Sequence, residues 1–170
     1  MKSLFLLAVA TSSMLFACGQ DDKSKRPSPP AQAKETLASG TVVTIDYSQP
    51  SVKGRTIGKD LEPKAGKVWR TGANEATVFE VSKPVKIEGK DLPAGKYSLY
   101  TIANDGEWTI IFNKTWDQWG TEYKEADDVL RVKVKPGKAA QFAEKMTFKV
   151  EKNGTVTLLW GDRKVDFKVA

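Results

Sequence analysis

From Thr41 to the C-terminus, apolar and polar side chains alternate with a period of two. Val43, Ile45 and Tyr47 interleave with Thr44 and Asp46, and Leu130, Val132 and Val134 with Arg131 and Lys133. Met146, Phe148 and Val150 do the same with Thr147 and Lys149, as do Val165, Phe167 and Val169 with Asp166 and Lys168. Half-buried strands produce this pattern, because successive side chains of an extended chain point to opposite faces. Further strands are expected at 76–81, 84–88, 95–103, 107–113 and 155–160. Asn104-Asp105-Gly106 and Asn153-Gly154 supply hairpin chemistry, since Asn and Gly accept the positive φ of tight turns. About nine short strands predict an all-β fold over 41–170, an antiparallel β-sandwich or flattened barrel with one or two short helices. The helical candidates are Trp116–Ala126, with aromatics spaced for one helix face, and Lys138–Glu144, which follows Pro136-Gly137.

The pattern is different before Thr41. Met1-Lys2-Ser3 is a short basic start, and Leu4–Ala17 carries no charge. As a helix this run would span only about 21 Å, against a hydrocarbon core of about 30 Å. A signal peptide over 1–17 is therefore expected rather than a permanent span. It ends in Leu15-Phe16-Ala17-Cys18-Gly19, which resembles the lipobox of bacterial lipoproteins. Cys18, the single cysteine of the chain, is then the lipidation site that takes a diacylglycerol, and membrane lipid becomes a partner. Two or more acyl chains give stable anchoring where one does not. Residues 19–40 hold three of the eight prolines and almost no large apolar side chain, so 18–40 reads as a lipidated cysteine followed by a flexible tether. Gln20-Asp21-Asp22 resembles the acidic signal that sends Bacteroidota lipoproteins to the cell surface. The expected location is the bacterial envelope, on the outer membrane, at its periplasmic or surface face.

Composition narrows the chemistry. The chain has no His and one Cys, which removes Ser-His-Asp and Cys-His nucleophile systems, imidazole switches, CxxC pairs and thiolate clusters. No cofactor or metal is expected. The net charge of +6 is spread through the strands, with Arg131, Lys133, Lys149, Lys164 and Lys168 at outward positions. If those strands are neighbours, one sheet face is basic and suits an anionic envelope polymer. Nucleic acid is not an expected partner, because no basic-aromatic recognition motif is present.

Four stretches stand out together: Tyr47-Ser48-Gln49-Pro50-Ser51-Val52-Lys53-Gly54-Arg55; Gly66-Lys67-Val68-Trp69-Arg70-Thr71-Gly72-Ala73-Asn74-Glu75-Ala76-Thr77; Leu92-Pro93-Ala94-Gly95-Lys96-Tyr97-Ser98-Leu99; and Glu107–Lys114 with Gln118-Trp119-Gly120. In this order they resemble the bacterial family known as domain of unknown function 2911, over about residues 43–169. The resemblance implies a β-sandwich-like fold and export, and it brings no activity or catalytic residues with it. Ile57–Ala65 departs from the family by lacking aromatics, which implies a different specificity if that loop lines a site.

The densest polar constellation is Arg55, Lys67, Arg70, Asn74 and Glu75 around Trp69. Arg70 suits bidentate capture of a carboxylate or phosphate, with Trp69 as a stacking face. The same residues also suit a plain loop, with Trp69 plugging the core, Arg70 paired with Glu75 and Asn74 capping a turn. Trp116, Trp119 and Tyr123, beside Asn113, read either as a carbohydrate platform or as the buried face of a short helix. Glu122, Glu125, Asp127 and Asp128 lack calcium-loop spacing and read as solvated acids. The favoured function is a non-enzymatic envelope binding module whose Trp/Arg-lined site takes a glycan or anionic ligand. The alternatives are a hydrolase-type enzyme using the Glu75 carboxylate and a purely structural lipoprotein.

Overall fold

A computed structural model describes residues 22–170, so the signal segment and Cys18 lie outside the described residues. Eleven strands run in chain order: β1 (Pro30–Thr36), β2 (Val42–Ser48), β3 (Val68–Trp69), β4 (Thr77–Val81), β5 (Val85–Ile87), β6 (Lys90–Leu92), β7 (Gly95–Asn104), β8 (Glu107–Asn113), β9 (Asp128–Val134), β10 (Pro136–Val150) and β11 (Thr155–Lys168). Seven form one antiparallel sheet in the order β1-β2-β4-β7-β8-β9, with β3 also laid against β7. β10 and β11 form a ribbon packed across one face of that sheet, and the small β5–β6 hairpin joins the ribbon through an Ile87–Val169 bridge. This is the all-β, sandwich-like architecture expected.

The alternation explains the layers. Val43, Ile45, Phe79, Leu99, Ile110, Phe112 and Val132 point inward from the sheet, and Met146, Phe148, Val156, Trp160, Val165 and Phe167 meet them from the ribbon. Phe167 packs on Phe79 and Phe112 with ring centroids 6.1 and 6.0 Å away, and Tyr47 meets Phe148 edge-on at 5.1 Å. Tilted and edge-on pairs of this kind add stability beyond the apolar area they bury. The other sheet face carries a smaller cluster, Ala76, Tyr100 and Ile111, beneath the loop that connects β8 to β9.

Four expectations need correction. Residues 30–36, assigned to the tether, are β1, paired over their whole length with β2 from Pro30↔Ser48 to Thr36↔Val42. The backbone ladder holds them although only Ala31 and Ala33 turn to the core. Second, 155–160 and 165–168 belong to the one run of β11, which doubles back at Gly161 (φ +63), bringing the Thr157 hydroxyl within 2.6 Å of Asp166. Third, Lys138–Glu144 is strand rather than helix. Its Lys138 and Ala143 register with Arg163 and Gly161 of β11, and this tertiary pairing overrides helix propensity. Fourth, Trp116–Ala126 is a loop with one short 3-10 turn, Glu125–Asp127. Its backbone bonds sideways instead, Ala76 N to Gln118 O at 3.1 Å and Gly120 N to Asn74 O at 3.2 Å.

Candidate functional site

The two sequence stretches that stood out most, 66–77 and 113–120, meet on the outer face of the large sheet. The bonds between 74–76 and 118–120 clamp them together, and two clefts open on either side of the clamp. One, of about 470 Å³, is bordered by Trp116, Gln118, Trp119, Glu75, Asp46 and Lys23. The other, of about 440 Å³, is bordered by Trp69, Arg70, Tyr100, Tyr123, Thr121 and Glu62.

The 69–75 loop that shapes both clefts is held in strained backbone. Thr71 (φ +50) and Asn74 (φ +58) lie in the left-handed region, which is costly for a β-branched residue. Buried polar contacts fix the loop there. The Trp69 indole donates to Gly72 O at 3.1 Å, Thr77 Oγ1 donates to Thr71 O at 2.9 Å, and the Thr71 and Thr101 hydroxyls lie 3.1 Å apart. Position 72 must be Gly, because a Cβ there would come within 2.8 Å of Thr77 Oγ1. Trp69 is thus a buried wall, and its ring serves the core more than a stacking ligand.

Arg70 leaves this loop half-buried, its stem lying on Gly120 so closely that a Cβ on Gly120 would fall 2.1 Å from Arg70 Cδ. Its Nε is buried with no acceptor among the described residues. Arg70 therefore does not pair with Glu75, as one reading expected. Glu75 is held by Lys23 at 3.0 Å and by Arg26, whose Nη1 donates to both carboxylate oxygens at 2.9 and 3.1 Å. Partial burial opposes ionisation of Glu75, but Arg26 and Lys23 outweigh it and hold the carboxyl down at about 2. A carboxyl in that state is a poor proton donor and a weak base at neutral pH, so the geometry lends no support to Glu75 as an acid or base.

The remaining candidates are dispersed. Arg55 shares a hollow of about 240 Å³ with Trp69 and Arg70, but its guanidinium is used locally on Val52 O and Ser51 O at 3.1 and 2.8 Å. Lys67 is an exposed turn residue away from both clefts. Asn74 donates to Ser28 O at 3.1 Å. Asn113 is fully buried, bonded to Lys124 O, Asp128 and Thr115 N. Trp116 and Trp119 are 39% and 47% exposed, with the Lys96 ammonium 4.9 Å from the Trp116 ring.

Sequence reading missed Tyr100 and grouped Tyr123 with the two tryptophans, from which the structure separates it into the other cleft. Tyr100, fully buried in the middle of β7, receives a hydrogen bond from Gln118 at 3.0 Å. Tyr123 stacks edge-on against Tyr100 at 4.9 Å, donates to Asp128 at 2.6 Å and accepts from Arg131 at 2.7 Å. Burial, reinforced by the Asp128 carboxylate, pushes Tyr123 up to about 12, so it remains protonated. Asp128 is accordingly a structural anchor rather than a solvated acid.

The expected basic face does not form. Arg131 and Lys133 lie on the outside of the large sheet, whereas Lys149, Lys164 and Lys168 lie on the outside of the ribbon. Arg131 is neutralised by Asp128 and Glu125 at 2.7 and 3.0 Å, Lys133 by Glu107 at 2.8 Å, and Lys164 by Asp166 at 2.7 Å. The five are split between two layers, so they make no single basic face.

Residues 28–169 match the family model described as protein of unknown function (DUF2911), and the chain belongs to that family. The match reaches further toward the N-terminus than the motifs alone suggested, taking in β1. No curated protein and no solved structure matches the chain.

Proposed function

Taking the chain as a DUF2911 member, we propose that it is an exported, lipid-anchored binding module of the bacterial envelope that captures an anionic group carried on a glycan. The ligand site is the cleft between Trp69, Arg70, Tyr100 and Tyr123, and Cys18 carries the lipid. One observation supports this most: Arg70 is a half-buried guanidinium whose Nε finds no acceptor among the described residues. Buried donors are nearly always satisfied, and an unsatisfied one costs roughly 1–3 kcal/mol. A carboxylate or phosphate oxygen entering the cleft would pair with the guanidinium at the cleft wall by a charge-assisted bond. The strained 69–75 loop and the Arg70 stem packed on Gly120 preorganise that group, so little side-chain freedom is lost on capture. Tyr123, backed by the buried Tyr100, adds an apolar edge to the cleft that suits the flat face of a sugar ring.

Calorimetry on the chain from residue 18, with Cys18→Ser to keep it soluble, tests this against uronate-bearing and phosphorylated oligosaccharides with neutral ones as controls. Anionic saccharides should bind, and Arg70→Gln should weaken them by about 10- to 100-fold, the worth of one hydrogen bond to a charged group. The melting temperature of that variant should stay close to that of the parent. Equal binding by the variant, or no binding of any anionic saccharide by the parent, overturns the proposal. A large loss of melting temperature would make Arg70 a purely structural residue.

A further inference from the structure

The segment expected to act as a long leash is instead strapped to the body almost from its start. Asp22 caps a short 3-10 turn at Lys23–Lys25 through Ser24 N at 3.2 Å. Lys23 and Arg26 grip Glu75, Ser28 O accepts from Asn74, Pro29 O accepts from Gln49 N at 2.8 Å, and β1 follows. Only five residue steps separate Cys18 from the first of these contacts with the body, Lys23. Even fully extended they reach about 18 Å, whereas a free leash to residue 40 would reach about 70–80 Å. A body anchored at Cys18 would therefore be held close to the bilayer with one side turned toward it.

That side is identifiable. Lys23 and Pro30 border the same cleft as Trp116 and Trp119. These two indoles are the exposed ones, while Trp69, Trp108 and Trp160 are each no more than 4% exposed. Exposed indoles close to a lipid anchor are well suited to the membrane interface, where an amphipathic ring rests at headgroup depth. The Lys96 ammonium lies over Trp116, and Lys23, paired with Glu75, borders the same cleft, so both can meet lipid phosphates beside the rings. Asp117 and Glu122 of the same loop are acidic, and they favour shallow seating on zwitterionic lipid over deep attraction to an anionic surface.

From these placements we infer that the Trp116–Trp119 loop is a membrane-seating surface, which the 23–30 strap turns toward the bilayer that holds Cys18. The inference rests on the lipid anchoring proposed above and is separate from the Arg70 cleft. It assigns the exposed tryptophans to lipid rather than to a sugar.

The single cysteine makes the test direct, because coupling Cys18 of the chain from residue 18 to a maleimide lipid supplies an anchor whether or not the cell acylates it. Failure of seating is thereby distinguished from failure of lipidation, which mass spectrometry of the native protein reads separately. The coupled protein is placed on phosphatidylcholine vesicles with or without lipids brominated near the headgroup end of the acyl chains. Brominated lipid should quench emission by a share approaching two tryptophans in five. Trp116→Phe/Trp119→Phe, checked for an unchanged melting temperature, should abolish the quenching, and Glu75→Gln, which loosens the strap, should reduce it. Emission unaffected by brominated lipid overturns the inference, as does quenching that persists in the double variant. So does a neutral oligosaccharide that shifts Trp116 and Trp119 emission in the absence of lipid quenching.

Discussion

The two faces of the large sheet are built from the same strands and obey opposite rules. Inward, Val43, Ile45, Phe79, Leu99 and Phe112 interlock with the ribbon, and the aromatic contacts among Phe79, Phe112 and Phe167 span both layers. Outward, Tyr100, Ala76 and Ile111 form only a thin apolar patch, flanked by two loops, one with the Arg70 guanidinium and the other with two exposed indoles. The inner face closes its apolar side chains against the ribbon, whereas the outer face presents polar and aromatic groups at two clefts. Stability should therefore respond to substitution inward, and binding to substitution outward.

The largest break should come from Phe79→Ala. Its ring is fully buried between Phe112 and Phe167, so a loss of about 3–5 kcal/mol is expected in urea unfolding. A loss below that for an exposed residue would mean the inner face is looser than its contacts imply. Gly120→Ala sharpens the contrast at intermediate cost. The new Cβ would meet Arg70 Cδ at 2.1 Å and Asn74 O at 2.9 Å, and overpacking of this kind costs about 1–3 kcal/mol. Because Arg70 is displaced, anionic saccharide binding should fall as well, which Phe79→Ala read at equal folded fraction would not show.

The smallest effect belongs to Glu75→Gln, within about 1 kcal/mol because the pair is partly solvent-screened. Its signature is pH dependence. The Glu75 carboxyl is held at about 2 in the folded protein against an ordinary 4.5, so the folded state binds fewer protons than the unfolded state between those values. Its contribution is full above about pH 4.5 and is lost as pH falls toward 2. Protection of the 23–29 amides, taken relative to the intrinsic exchange rate at each pH, should fall over that window in the parent, whereas in the variant it should be low throughout.

Most of the inner face was legible in the sequence, because burial on one side only imposes a period of two. Where the period failed, the reason is physical. β1 reads Pro-Ala-Gln-Ala-Lys-Glu-Thr and turns only alanines to the core, so its strand character lies in the ladder with β2 rather than in its side chains. Lys138–Glu144 has helical propensity that pairing with β11 overrides. The 69–75 loop was legible as a polar constellation around Trp69, yet the fate of its charges was not. Glu75 is paired with Lys23 and Arg26, some fifty residues upstream in a stretch without hydrophobic pattern. That capture is what leaves Arg70 without a carboxylate.

β1 also has a consequence for how the molecule keeps to itself. It is the selvage of the large sheet, and its seven ladder positions cover backbone groups of β2 that would otherwise face water unpaired. An uncovered strand border of that length is a template for another extended chain. A protease cut between Arg26 and Thr41 would remove none of the large buried rings, yet it would leave an adhesive margin open to a second copy. What β1 sets at the border in place of β2 is Pro30 and Lys34, side chains that discourage pairing with another extended chain.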